Sequence, residues 1–334
     1  MSFSKCMSLD DVPQAGELTM LTYHQSVRLQ VDNVLVQYHI FDADEPLMVT
    51  FPPGCQVMSQ EQVDEQKSAW SFQFFAKQKM NVISFNHIGD DNYFDSLAFE
   101  QFLVKLSSAI AVFSSRIGYG ASRGGFATAL HADKLNLTKA LLLMPLSTYW
   151  QALAPWDPKL KNHSQSQKRD ISHLDVSQCK TPLTIIYDPL FFPDRQHKQR
   201  FENCVASYTV PGVGHRIVRA LQDLGSLKST VLEFRVGEIN AARFYQAARK
   251  RRTLSYYFRT HQKVCFKKSS LKRYSIIQLH KLYLVSQQSI NLQKMIDRLK
   301  ESCAKRQNSI CSFIHGKDMM FIRNTTAGSV LVFC

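Results

Sequence analysis

Apolar positions fall into two rhythms between residues 27 and 235. Val27 to Ile40 (VRLQVDNVLVQYHI) alternates apolar and polar residues on either side of Asp32-Asn33, which predicts two strands joined by a tight turn. Leu47 to Phe51 is an unbroken run stopped by Pro52-Pro53-Gly54, as a buried strand would be, and Asn81 to Phe85 is a second such run. Arg116–Tyr119, Lys139–Met144, Leu183–Tyr187 and Ala206–Val210 are further short strand candidates. The intervening stretches read as helices. Ala98 to Phe113 carries Phe102, Leu103, Leu106, Ile110 and Phe113 at three- and four-residue spacing, and Ser68–Lys79, Phe126–Lys134, Arg195–Phe201 and Arg216–Leu224 complete the set. A hairpin followed by strand–helix alternation predicts an α/β fold: a mostly parallel, doubly wound sheet with helices on both faces and right-handed crossovers. Chemistry in such sheets gathers at the carboxyl ends of the strands.

One strand end stands out. Arg116–Tyr119 is followed by Gly120-Ala121-Ser122-Arg123-Gly124-Gly125 and then by a helix, which is Gly-x-Ser-x-Gly between strand and helix. A serine on so sharp a turn has strained backbone angles, and only small neighbours two residues away allow the bend. The turn exposes the hydroxyl and aims the next amide, that of Arg123, at the helix N-terminus, where an oxyanion is stabilised. A serine hydroxyl needs a base, and the base an orienting acid. Val210-Pro211-Gly212-Val213-Gly214-His215 follows the last strand candidate and offers an imidazole on a loop of small residues. Leu183–Tyr187 ends in Asp188, and its loop runs on to Asp194.

The elbow, the Gly-x-Gly-His segment and the order Ser…Asp…His at strand ends resemble the α/β-hydrolase superfamily over roughly residues 27–235. The resemblance implies Ser122 as nucleophile, His215 as general base and then acid, and Asp188 as orienting carboxylate. It also implies Arg123 as one oxyanion amide and Cys55 or Gly54, in the loop after Leu47–Phe51, as the other. In that family the acid sits a few residues beyond its strand, so Asp194 competes with Asp188, which follows Tyr187 directly. The oxyanion loop reads Phe-Pro-Pro-Gly-Cys in place of His-Gly or Gly-Gly, and neither Pro52 nor Pro53 has an amide to donate.

Each candidate also has a plainer reading. Ser122 reads otherwise as a turn serine, His215 as a helix-end residue, Asp188 as a turn former before Pro189, and Asp194 as a helix N-cap. His87, on the loop after Asn81–Phe85, is either a pocket residue or part of a solvated cluster; His131, inside the helix after the elbow, reads as structural. Pro145 to Gln178 is a long insertion, with residues 146–178 a candidate lid. Its Tyr149, Trp150 and Trp156 either bind an acyl chain or a sugar ring or pack on the body.

Charge divides the chain. Residues 236–334 hold 19 lysines and arginines against four acids, whereas residues 1–235 are nearly balanced, with 22 basic and 23 acidic side chains. This break predicts a catalytic domain over 1–235 and a basic, mainly helical module over 236–334 with helices at Glu238–Arg252, Phe258–Val285 and Ser289–Arg306 and a hairpin within Met319–Cys334. The basic module reads either as a surface for an anionic polymer, lipid surface or acidic partner, with Tyr256, Tyr257 and Phe258 beside the arginines, or as a solvated face. The eight scattered cysteines form no Cys-x-x-Cys and no zinc spacing, so reduced thiols are expected, with no metal and no organic cofactor. No apolar span reaches membrane length and the first residues carry no signal-peptide pattern, which predicts a cytoplasmic chain. The expected activity is cleavage of an acylated substrate, an ester or thioester, through an acyl-enzyme on Ser122, or transfer of the acyl group to another acceptor. The alternative is a catalytically silent hydrolase-like scaffold recruited by its basic region.

Overall fold

The computed structural model describes residues 21–89, 94–160, 174–258 and 271–287. Residues 161–173 of the insertion, the helix expected at Ser289–Arg306 and the hairpin within Met319–Cys334 lie outside the described residues, as do the first twenty.

Eight strands form one sheet: β1 (Ser26–Val31), β2 (Val34–His39), β3 (Leu47–Phe51), β4 (Asn81–His87), β5 (Arg116–Ala121), β6 (Lys139–Leu143), β7 (Leu183–Tyr187) and β8 (Cys204–Thr209). Their order is β1-β2-β4-β3-β5-β6-β7-β8. β2 runs antiparallel to both neighbours, and every pairing from β4 to β8 is parallel. The β1–β2 turn places Asp32 at φ 54°, a conformation that Asp and Asn tolerate better than most residues. The chain leaves β3 outward to β4, then crosses back past β3 to β5. The resulting reversal puts a crevice between the carboxyl ends of β3 and β5.

Side-chain alternation along the strands divides the core into two layers. Leu47, Val49 and Phe51 of β3, with Ile83 and Phe85 of β4 and Ala140 and Leu142 of β6, face one layer. There they meet Phe99, Phe102, Leu103 and Leu106 of α3 (Leu97–Ala109) and Phe126 of α4 (Arg123–Ala132). Met48, Val82, Ile117, Tyr119, Leu141 and Ile186 face the other layer. On that side they are joined by α2 (Phe72–Ala76), which follows the short α1 (Gln60–Asp64). Helices α6 (Ile217–Asp223), α7 (Leu227–Val236) and α8 (Ala241–Arg249) cover the rest of that side. α5 (Phe192–Arg200) lies between β7 and β8 in sequence.

Two elements depart from the pattern-based expectation. The helix expected over Ser68–Lys79 forms only over Phe72–Ala76. Side chains of the neighbouring strands take the amides ahead of it: Gln37 Oε1 accepts from Ala69 N at 2.8 Å and Asn86 Oδ1 from Trp70 N at 2.6 Å. The body also continues past the charge break at 235. α8 buries Phe244, whose ring lies 5.1 Å from that of Tyr208, and Tyr256 donates its hydroxyl to Asp223 at 2.9 Å. The chain accordingly separates into two compact units, Met1–Ser269 and Ser270–Cys334. Surface charge marks composition, whereas the boundary follows the buried apolar residues, which run on to Phe258. The described part of the second unit is α9 (Leu271–Gln287), which exposes Leu279, Leu282 and Val285. Among the described residues no helix is long and apolar enough to cross a membrane.

Candidate active site

Ser122 sits between β5 and α4 with φ 54° and ψ −113°, the strained geometry expected of the elbow. Two glycines are required by close approach. A Cβ on Gly120 would collide with the Gly124 carbonyl and the Thr128 hydroxyl, and one on Gly124 would run into the Phe51 and Pro52 carbonyls at the end of β3. The elbow is therefore wedged against the β3 loop, at the topological reversal. Ser122 is the N-cap of α4 but its side chain caps nothing, and its own amide is bonded to Leu143 O at 2.8 Å. The hydroxyl is left to turn outward, and the amides of the first turn of α4, beginning with Arg123, have no partner inside the helix.

His215 meets it there. Ser122 Oγ lies 2.7 Å from His215 Nε2, and His215 Nδ1 lies 2.7 Å from Asp194 Oδ1. The carboxylate can only accept, so Nδ1 carries the proton and Nε2 is left to accept from the serine. Asp194 is 2% exposed and the His215 side chain 17%, so the acid is dry while the imidazole reaches solvent.

Asp188, the first choice for orienting acid in the sequence, is corrected by this geometry. Its Oδ2 accepts the amides of Gly212 at 2.9 Å and Gly214 at 2.6 Å, and its Oδ1 accepts Leu190 N at 2.8 Å. Fully buried, it shapes the loop that delivers His215 but does not touch the imidazole. Just past the end of β7 its carboxylate lies next to the loop after β8, whereas Asp194, in the first turn of α5, reaches the ring.

The other candidates divide. Arg123 folds its side chain over Gly54, where a Cβ would stand 2.9 Å from Nε, and its guanidinium lies 5.7 Å from the Tyr149 ring. Gly54 and exposed Cys55 belong to a turn closed by Gln56 N donating to Pro53 O at 2.9 Å. His87 is the last residue of β4 and is buried, against the expectation of a loop position. Burial, reinforced by Arg123 and opposed by Asp95, pushes it down to about 3, so it is neutral. His131 is buried and donates to Phe94 O, a structural role. Tyr149 does not line an open surface: it is 1% exposed and packs edge-on against Phe126. Trp150 is exposed, and Trp156 packs toward His197. Tyr256 and Phe258 are likewise buried and not offered to a polymer. Phe258 N donates to Gly212 O at 2.7 Å and Arg251 Nε to Pro211 O at 2.9 Å, so this basic segment braces the His215 loop.

Sequence reasoning missed a second polar cluster, built on buried Ser147, His197 and Asp157. His197 Nδ1 accepts from Ser147 N at 3.1 Å and lies 2.9 Å from Ser147 Oγ; its Nε2 lies 3.1 Å from Asp157 Oδ2. Arg200 joins it, donating to Ser147 Oγ at 2.9 Å and to Asp175 Oδ2 at 2.8 Å. Burial alone would raise the Asp157 carboxyl, but the His197 hydrogen bond and the Lys159 amide hold it below its ordinary value. No motif announces these residues, which come from the insertion and from α5. Among the described residues no cluster has the makings of a metal site.

No family model matches the chain, and no curated protein sequence does. Its strand order, lone antiparallel strand and serine elbow are those of the α/β-hydrolase fold. Solved structures are similar to it in fold. Esterase 2 of Thermogutta terrifontis, phosphonylated by sarin, is 12% identical with a TM-score of 0.46 over 66% of this chain and 98% of that one. The capsule O-acetyltransferase of Neisseria meningitidis serogroup A is also 12% identical, with a TM-score of 0.43 over 61% and 93%. A sugar hydrolase of Lactococcus lactis is 14% identical, with a TM-score of 0.40 over 55% and 81%.

Proposed function

We propose that the chain is a serine hydrolase that cleaves an ester or thioester through an acyl-enzyme on Ser122. The observation that carries this reading is the unbroken chain Ser122–His215–Asp194, with two contacts of 2.7 Å between groups drawn from two strand-to-helix connections and the first turn of α5. In the first half-reaction Ser122 Oγ attacks the substrate carbonyl carbon and its proton passes to His215 Nε2. Asp194, dry and bonded to Nδ1, favours the imidazolium that forms. The oxyanion is received by the Arg123 amide at the start of α4, with Gly54 or Cys55 supplying the second donor. Collapse of the tetrahedral species expels the alcohol or thiol, which takes the proton from Nε2. Water, or a second hydroxyl in acyl transfer, then attacks the acyl-enzyme by the same steps in reverse.

The test is hydrolysis of a short p-nitrophenyl ester by the wild type and by Ser122→Ala, with labelling by a fluorophosphonate probe. Labelling and turnover lost in the variant support the reading. Equal rates in both proteins, or an unlabelled wild type, overturn it.

A further inference from the structure

α5 carries Asp194 yet has almost nothing apolar with which to dock. Its sequence is Phe-Pro-Asp-Arg-Gln-His-Lys-Gln-Arg, and its buried residues are Pro193, Asp194 and His197. Buried Phe191 and Phe201 anchor the ends. Two end anchors fix where a helix lies but leave its rotation about its own axis weakly determined, because no apolar stripe keys into the sheet. Rotation is what aims Asp194 at His215. The contacts that oppose it are polar and one turn further on: His197 to Ser147 and Asp157, and Arg200 to Ser147 and Asp175.

Residues at spacing three lie on neighbouring positions of a helix face, so Asp194, His197 and Arg200 form one line along α5. The side-chain hydrogen bonds of that line beyond Asp194 go to the insertion after β6. The two limbs of the insertion are themselves joined, since Tyr149 N donates to Leu174 O at 3.0 Å and Val176 N to Ser147 O at 2.9 Å. The Ser147 amide can only donate, so His197 Nδ1 is unprotonated and Nε2–H donates to Asp157. The whole cluster is thereby hydrogen-bonded in one sense, with no freedom to reverse.

We propose that Ser147, His197, Asp157 and Arg200 form a latch between the insertion and α5, in which His197 is a positioning residue that holds Asp194 on His215. The proposal rests on the catalytic reading of Ser122, His215 and Asp194. It gives the insertion a role apart from covering the substrate: the insertion sets the aim of the acid.

His197→Ala removes the latch, whereas His197→Asn keeps an acceptor near the Nδ1 position. A displacement of about 1 Å away from the chemistry can cost up to about a hundredfold in rate. For His197→Ala the expected change on p-nitrophenyl acetate is a kcat about ten- to a hundredfold lower with KM changed less than about threefold, and His197→Asn recovers most of it. A second readout does not need turnover. The proton on His215 Nδ1, assigned by its loss in Asp194→Asn, gives a downfield NMR resonance that should broaden or vanish in His197→Ala and return in His197→Asn. A folded His197→Ala protein with wild-type kcat and an undisturbed resonance overturns the latch. If His197→Ala does not fold, the near-isosteric Asp157→Asn carries the same test: the same losses in smaller degree support the latch and an unchanged resonance overturns it. An inactive wild type would sink the catalytic reading alone, because the resonance still decides the latch.

Discussion

Two Ser–His–Asp sets share one short helix, and only one of them has the surroundings that the proposed chemistry needs. Ser122–His215–Asp194 and Ser147–His197–Asp157 have the same composition, similar hydrogen-bond lengths and a common element, since α5 supplies Asp194 to the first and His197 to the second. They differ in what surrounds the serine. Ser122 is half-buried beside a helix start whose amides have no partner in the helix, and its imidazole offers a bare nitrogen toward the hydroxyl. Ser147 has no exposure, and its own amide occupies the lone pair of the histidine that would have to act as base. The residue types are therefore no evidence of catalysis by themselves. Access and the free tautomer decide it.

The largest way to break this comparison is at the two serines. Ser122→Ala should lower kcat/KM on a p-nitrophenyl ester by about 10⁴-fold or more. Ser147→Ala should remain reactive toward a fluorophosphonate while its thermal midpoint falls, because it strips a buried partner from Arg200 and His197, a loss of about 1–3 kcal/mol. A Ser147→Ala protein that no longer reacts with the probe while remaining folded and as stable as wild type would erase the distinction.

Next in size are the two aspartates that competed for one role. Asp194→Asn leaves the shape intact but cannot hold the required tautomer, so kcat should fall about 10³- to 10⁴-fold. Asp188→Asn weakens the grip on the Gly212 and Gly214 amides and should lower stability by about 1–3 kcal/mol, with a smaller effect on rate. Kinetics and melting curves of the pair, measured together, separate them; a larger kinetic loss at Asp188 would return the acid to the end of β7.

A more gradual effect comes from histidines outside both sets. Burial pushes His87 and His131 down to about 3, from an ordinary value of 6.5. The folded protein keeps them neutral while the unfolded chain takes up protons below about 6.5, so stability is full above that pH and declines toward about 3. Each contributes at most about 1.4 kcal/mol per pH unit across that window. Urea unfolding between pH 7 and 4 measures the slope, and a flat profile would show that neither ring is held neutral.

The chain laid out much of this in advance. β3 is apolar at nearly every position and β4 is buried along its whole length because both faces of a central strand are covered, and exposure along the outer β8 alternates over its first four residues as in a strand open on one side. The elbow was legible because Gly120 answers to a local steric need, the nearby Gly124 carbonyl and Thr128 hydroxyl, even though the atoms Gly124 avoids lie at the end of β3. The expected helix at Ser68–Lys79 was shortened by amide captures from Gln37 and Asn86, partners some 16 to 32 residues away that no local window contains. Tyr149 looked like a substrate contact because an insertion suggests a lid, and it is instead packed against Phe126.

What the residues determined unaided is therefore the periodic part: which runs become strands or helices, where the chain must bend sharply, and which serine stands on that bend. Those depend on a residue and its near neighbours. The choice between Asp188 and Asp194, the burial of the aromatics after the basic run and the use of His197 as a latch were decided only when distant segments came together. A carboxylate's role depends on its direction from the backbone, and the groups it meets come from segments far apart in the chain.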